Sequence, residues 1–151
     1  NIAPDSRKQA LREILRVGRR DIILLEYNWR TLKSTESPEI IERFKNSAFK
    51  VFERFLTDPF IGEKFETLFS EVDPNLNYSL QRFGREESAA NAPELILILR
   101  GFYQIAKNLL KDDGLSEEFK KLIEELEKSP IKFMPPEIIA AIVKKQQSAL
   151  K

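Results

Sequence analysis

The chain has 151 residues, of which 42% are hydrophobic and 32% are charged, so it is long enough to bury a core and is neither disordered nor membrane-like in composition. It contains no cysteine and no histidine, which excludes disulfides, thiolate metal sites and catalysis by Ser-His-Asp or Cys-His groups. No apolar run approaches the roughly 18 to 20 residues that a membrane-spanning helix needs. We expect one domain over residues 1–151, with no catalytic residue, metal or cofactor.

The net charge of +1 is distributed unevenly along the chain. Residues 1–57 carry 12 basic and 8 acidic side chains, residues 58–128 carry 9 and 15, and residues 129–151 carry 4 and 1. Basic ends around an acidic middle indicate either that the ends pack against the middle or that two faces serve two partners. The absence of cysteine is compatible with every compartment, and an intracellular location is our expectation.

The N-terminal segment predicts a short helix with one basic side. Leu11, Ile14 and Leu15 form its apolar face, and Gly18, which costs about 1 kcal/mol relative to alanine in a helix, marks a bend or the join to a second helix. Four arginines occur in this segment at steps of four, three and one: Arg12, Arg16, Arg19 and Arg20. Because the arginine fork suits phosphate and carboxylate oxygens, this stripe is a candidate surface for a protein or a nucleic acid.

The segment over residues 20–33 is apolar enough to lie partly in the core. Tyr27, Trp29 and Arg30 stand together near its end, and these are the residue types that interface hot spots favour. Core packing is the alternative for Trp29. We take all three residues as candidates for partner binding.

Repeated pairs of a capping residue and a proline predict the starts of the next helices. Ser37-Pro38 opens the clearest amphipathic pattern of the chain, with apolar residues at helical spacing: Ile41, Phe44, Ala48, Phe52 and Phe55. Asp58-Pro59 predicts a shorter helix that ends near Val72. Asp73-Pro74 predicts another that ends at Gly84.

Residues 92–111 predict a central helix around which the others pack. Leu95 to Leu99 are five consecutive apolar residues, and a helix that is apolar all round must be covered on every side. Asn91 and Pro93 mark its start and Gly114 its end. Arg100 follows the apolar run and is a candidate either for presenting charge to a partner or for pairing with a carboxylate such as Glu66 or Glu71.

Two further helices complete the predicted fold, one after Ser116 and a last one near Pro136. We expect no strand, so the prediction is an all-α, single-domain bundle of about seven helices around a central buried helix near residues 92–111. The absence of catalytic residue types and the segregated charge indicate a non-catalytic protein–protein interaction module, regulatory or scaffolding. A nucleic-acid-binding domain that uses the N-terminal arginines is the alternative, and a binder of a small apolar ligand is a third.

Overall fold

The computed structural model describes residues 6–18, 20–55 and 58–144. These residues form five α-helices and three β-strands: α1 (Arg7–Val17), β1 (Ile22–Asn28), α2 (Pro38–Arg54), α3 (Phe65–Val72), β2 (Tyr78–Phe83), α4 (Ala92–Gln104), α5 (Asp113–Lys128) and β3 (Glu137–Val143). The predicted all-α bundle of about seven helices is therefore wrong. A three-stranded antiparallel sheet replaces three of the segments that were expected to be helical.

The sheet has the strand order β1-β3-β2, and both of its pairs are antiparallel. The last strand in the chain thus lies in the middle of the sheet. The register places Leu24 of β1 and Leu80 of β2 on either side of Ala141. Because consecutive strand residues point to opposite faces, we call the face that carries these three residues the inner face and the opposite one the outer face.

The strands form where sequence reasoning expected helices. β3 replaces the last helix because four of its seven residues are β-branched, a type that packs better on a pleated sheet than in a helical turn. Two prolines precede it and favour an extended chain. Residues 20–33 and 75–84 were also interpreted as helical, and this is wrong because residues 22–28 and 78–83 pair with β3 as antiparallel strands.

Helices α1 and α3 cover the inner face of the sheet. Their side chains and those of β3 form one hydrophobic cluster: Leu11, Phe65, Phe69, Ile139, Ala141 and Val143. Phe69 is fully buried, and its ring lies 4.8 Å from that of Tyr78 on β2. Burial on this side accounts for the half-buried residues of β1 that face α1 and α3, such as Leu24.

Helices α2, α4 and α5 pack together as a second, larger cluster. α2 begins at Pro38 as predicted, and Ile41, Phe44 and Ala48 are buried along its apolar face. The ring of Phe102 on α4 lies 5.5 to 5.6 Å from rings of α2 and α5. Aromatic pairs at such separations stabilise a core by about 0.5–1.5 kcal/mol beyond their buried area.

The predicted central helix is present, but it is not enclosed on every side. α4 begins at Ala92, a π-helical segment continues it from Ile105 to Leu110, and Lys111 ends it with a left-handed backbone at φ 52°. Leu97 and Leu109 are exposed. The helix is therefore buried along one side, against α2 and α5, and lies in a bundle beside the sheet.

Adjacent leucines test the register of β1, because Leu24 faces the inner cluster and Leu25 faces outward. We expect Leu24→Thr to lower the free energy of unfolding by about 2 kcal/mol, since it removes apolar contacts and places a hydroxyl among them. Leu25→Thr should change it by about 0.5 kcal/mol or less. Urea unfolding measures both, and equal losses in the two variants would contradict the register.

Candidate functional site

The outer face of the sheet is a continuous uncharged surface. The register places nine residues on it in three rows across the strands: Ile23, Ile142 and Ser79, then Leu25, Ala140 and Gln81, then Tyr27, Ile138 and Phe83. None of the nine side chains is charged, and seven are apolar or aromatic. In a chain that is 32% charged, such a set is unusual for a surface that remains in water.

Large apolar side chains of the outer face are exposed. Ile23 and Leu25 are each 62% exposed, Tyr27 is 49% exposed, and Phe83 on the opposite strand is 52% exposed. Ala140 between them is buried, because the neighbouring strands flank it. An exposed contiguous apolar patch of this kind typically marks an interaction site.

A groove runs along the free edge of β1. Residues 23–26 all line it, and since consecutive side chains point to opposite faces, a cavity that all four reach lies at the edge of the strand. The remaining apolar lining comes from α1, from α3 and from the turn before α3: Ala10, Leu11, Ile14, Ile61, Phe65 and Leu68. The cavity has a volume of about 320 Å³. We call it the β1 groove.

Three charged residues also line the β1 groove: Arg7, Glu26 and Asp58. Arg7 Nη1 donates a hydrogen bond to Asp58 Oδ2 at 3.1 Å, and Lys64 pairs with the same carboxylate. Burial alone would raise the pKa of Asp58, but the Lys64 ammonium, the Phe60 N–H and Arg7 together hold it below its ordinary value. The negative charge of Asp58 is thus balanced by Arg7 and Lys64 within the fold.

Glu26 has a different environment from Asp58. Burial raises the pKa of its carboxyl, and the charge of Arg7 acts only at a distance to lower it. Among the described residues, none donates a hydrogen bond to the Glu26 carboxylate or forms an ion pair with it. Glu26 is an exposed residue of β1, so it presents an accessible negative charge at the open side of the groove, even though neighbouring atoms partly exclude water from its carboxyl.

Arg20 does not continue the helical stripe of Arg12 and Arg16 that the sequence predicted. α1 ends before Arg20, because the chain becomes extended at Gly18. Arg12 and Arg16 share the side of α1 away from the β1 groove, and Arg16 donates a 2.8 Å hydrogen bond to a glutamate in the preceding turn. Arg19 lies outside the described residues.

The predicted group of Tyr27, Trp29 and Arg30 is divided among three environments. Tyr27 belongs to the outer face, whereas Trp29 packs against three phenylalanines of the bundle with ring centroids 5.6 to 6.0 Å apart. The Tyr27 and Trp29 rings are 5.9 Å apart, so the outer face adjoins the bundle there. Arg30 lies over the ring of Phe60 at 4.3 Å and pairs with Glu63 at 3.3 Å.

Arg100 lies on the exposed side of α4, not in a pocket. Its Nη2 donates a 2.6 Å hydrogen bond to Glu127 of α5, so its carboxylate partner is neither Glu66 nor Glu71. An exposed pair of this kind contributes about 0–1 kcal/mol to stability. Arg100 therefore lies apart from both the outer face and the β1 groove.

Sequence reasoning missed most of the residues that form these two surfaces, including Ile23, Leu25, Glu26 and Phe83. One signal for them was present. In residues 22–25 both the odd-numbered and the even-numbered positions are apolar. In an edge strand this means that one of the two apolar sets faces away from the core. The interpretation of this segment as a helix concealed that signal.

In the described ranges, no group of three or more acidic side chains is placed to hold a metal ion. None of the helices described is both long enough and apolar enough to cross a bilayer. The chain matches no model of a known protein family and none of the curated proteins with which it was compared.

The environment of Glu26 predicts a pH-dependent gain of stability in Glu26→Gln. A carboxyl whose pKa is raised on folding binds more protons in the native state, so stability falls as pH rises from its unfolded pKa, about 4.3, through its folded pKa. The penalty therefore increases from pH 3 toward pH 7 in the wild type, and the glutamine removes it. At pH 3 the carboxyl is protonated in both states, so the two proteins should unfold alike.

Urea unfolding at pH 3 and pH 7 checks this expectation. The matched control is Glu86→Gln, which changes an exposed glutamate in the connection before α4 and should leave the difference between the two pH values unaltered. A Glu26→Gln protein that is less stable than the wild type at pH 7 would show that the carboxylate contributes to folding.

Proposed function

We propose that this chain is a non-catalytic protein-binding module, regulatory or scaffolding, and that a partner docks on the outer face of its sheet. The observation that carries the proposal is the exposure of Ile23, Leu25, Tyr27 and Phe83 on one uncharged face. Full burial of such a side chain is worth about 1.5–3 kcal/mol relative to exposure. Four of them on one surface are a substantial source of binding energy that folding leaves unused.

The composition of the face supports a protein partner rather than a nucleic acid. Nucleic-acid affinity depends mainly on lysine and arginine contacts to phosphates, and the outer face has no such residue. Aromatic and aliphatic side chains instead characterise the centre of protein interfaces. Tyr27 and Phe83, on opposite strands of the same row, are the expected anchors.

Site-specific photo-crosslinking tests the docking surface. A benzophenone amino acid replaces Tyr27 or Phe83, and the substituted protein is produced in cells in which the protein occurs naturally. The control position is Leu97, which is 69% exposed on α4. We expect the same partner to be captured from positions 27 and 83 and not from position 97. Capture from position 97 alone, or from none of the three, would contradict the proposal.

Affinity for the captured partner provides a quantitative check. Tyr27→Thr and Phe83→Thr should each weaken binding by about 10- to 100-fold, as expected for the loss of an anchor worth about 1.4–2.8 kcal/mol. Leu97→Gln should leave it unchanged. Because the face is uncharged, raising the salt concentration from 0.1 to 1 M should not weaken binding, and a steep loss with salt would indicate a different, charged surface.

A further inference from the structure

We propose that the β1 groove binds an extended segment of a partner protein, which adds to the free edge of β1 as a fourth strand and places a lysine or arginine beside Glu26. This inference rests on the proposed function in that its ligand is a protein. The bound segment is extended and carries a positive charge, and its site uses other residues than the row of Tyr27 and Phe83.

The free edge of β1 supplies unpaired backbone groups. In the order β1-β3-β2, β1 has a single neighbour in the sheet, so alternate residues of its seven direct their N–H and C=O groups away from β3. Natural edge strands are usually protected by several charges, a proline or a bulge. β1 reads Ile-Ile-Leu-Leu-Glu-Tyr-Asn, with one charge and no proline, and is therefore suited to pair with another strand.

The position of the groove favours a single extended chain. The groove follows four consecutive residues of an edge strand, a length of about 13 Å. An added strand about 4.8 Å from β1 could bond to its free backbone groups, whereas a helix satisfies its backbone groups internally and could not. The second wall, formed by Ala10, Leu11 and Ile14 of α1, would receive every second side chain of that strand.

The charges of the groove specify a basic residue in the bound segment. Arg7 and Asp58 pair with each other, and Lys64 adds a second cation to Asp58. Glu26 has no such bonded countercharge among the described residues, although it is partly desolvated. A lysine or arginine that reaches it would form a charge-assisted hydrogen bond, while an acidic residue at the same position would be repelled.

Selection from a display library of random ten-residue peptides, with the intact chain as bait, supplies the probe. We expect enriched peptides to alternate apolar residues and to carry one basic residue. A scan of N-methyl groups along the best peptide should abolish binding at every second position and leave it within about twofold at the positions between, since only alternate N–H groups bond to β1. This readout needs no variant of the protein.

Variants of the chain then assign the peptide to the groove. Ala10→Met, which fills the groove and keeps a good helix former, should weaken peptide binding at least tenfold. Glu26→Gln should weaken peptide binding about 3- to 10-fold. It should not change the affinity for a peptide in which methionine replaces the basic residue. Leu97→Gln, on the exposed side of α4, is the control and should leave the affinity of the peptide unchanged.

Several outcomes would overturn this inference. The first three are that no peptide is enriched, that sensitivity to N-methylation does not alternate along the peptide, and that Ala10→Met leaves peptide binding unchanged. The fourth is self-association of the chain that Ala10→Met abolishes, because a second copy of the chain would then be the occupant of the groove. Peptide binding without crosslinks from positions 27 and 83 would refute only the outer-face proposal. Crosslinks without a groove-dependent peptide would refute only this one.

Discussion

The position of β3 between β1 and β2 is the constraint on which the rest of this structure depends. A strand satisfies its backbone groups only by pairing, and β3 does so on both sides with residues that lie 55 to 121 positions earlier in the chain. Its register determines which side chains of β1 and β2 face α1 and α3 and which face outward. It also leaves β1 with a free edge, so the outer face and the β1 groove both follow from one pairing.

The buried core and the proposed binding surfaces occupy different parts of the molecule. The two hydrophobic clusters, one around α2, α4 and α5 and one under α1 and α3, contain the largest fully buried side chains. Ile23, Leu25, Glu26 and Phe83 are exposed, and burial of part of the Glu26 carboxyl raises its pKa without a bonded countercharge among the described residues. Features that cost stability or leave apolar area in water are typical of surfaces that a partner covers.

Helices that depend on local signals could be predicted from the sequence, and the sheet could not. Ser37-Pro38 and the spacing of Ile41, Phe44 and Ala48 located α2, because caps and a 3.6-residue period are properties of the segment itself. In β1 and β3 consecutive residues are apolar, so the alternation of apolar and polar residues that marks a strand is absent from their sequences. The site was missed for the same reason, since the outer face exists only once three distant segments are in register.

Amide hydrogen exchange at single-residue resolution, on the isolated chain, tests the central pairing and its free edge most directly. Because β3 bonds on both sides, every amide from Ile138 to Ile142 should exchange slowly. In β1 only alternate amides bond to β3, so slow and fast exchange should alternate from Ile22 to Asn28. Uniformly fast exchange in β3 would contradict the sheet, and uniformly slow exchange in β1 would show that its edge is already covered.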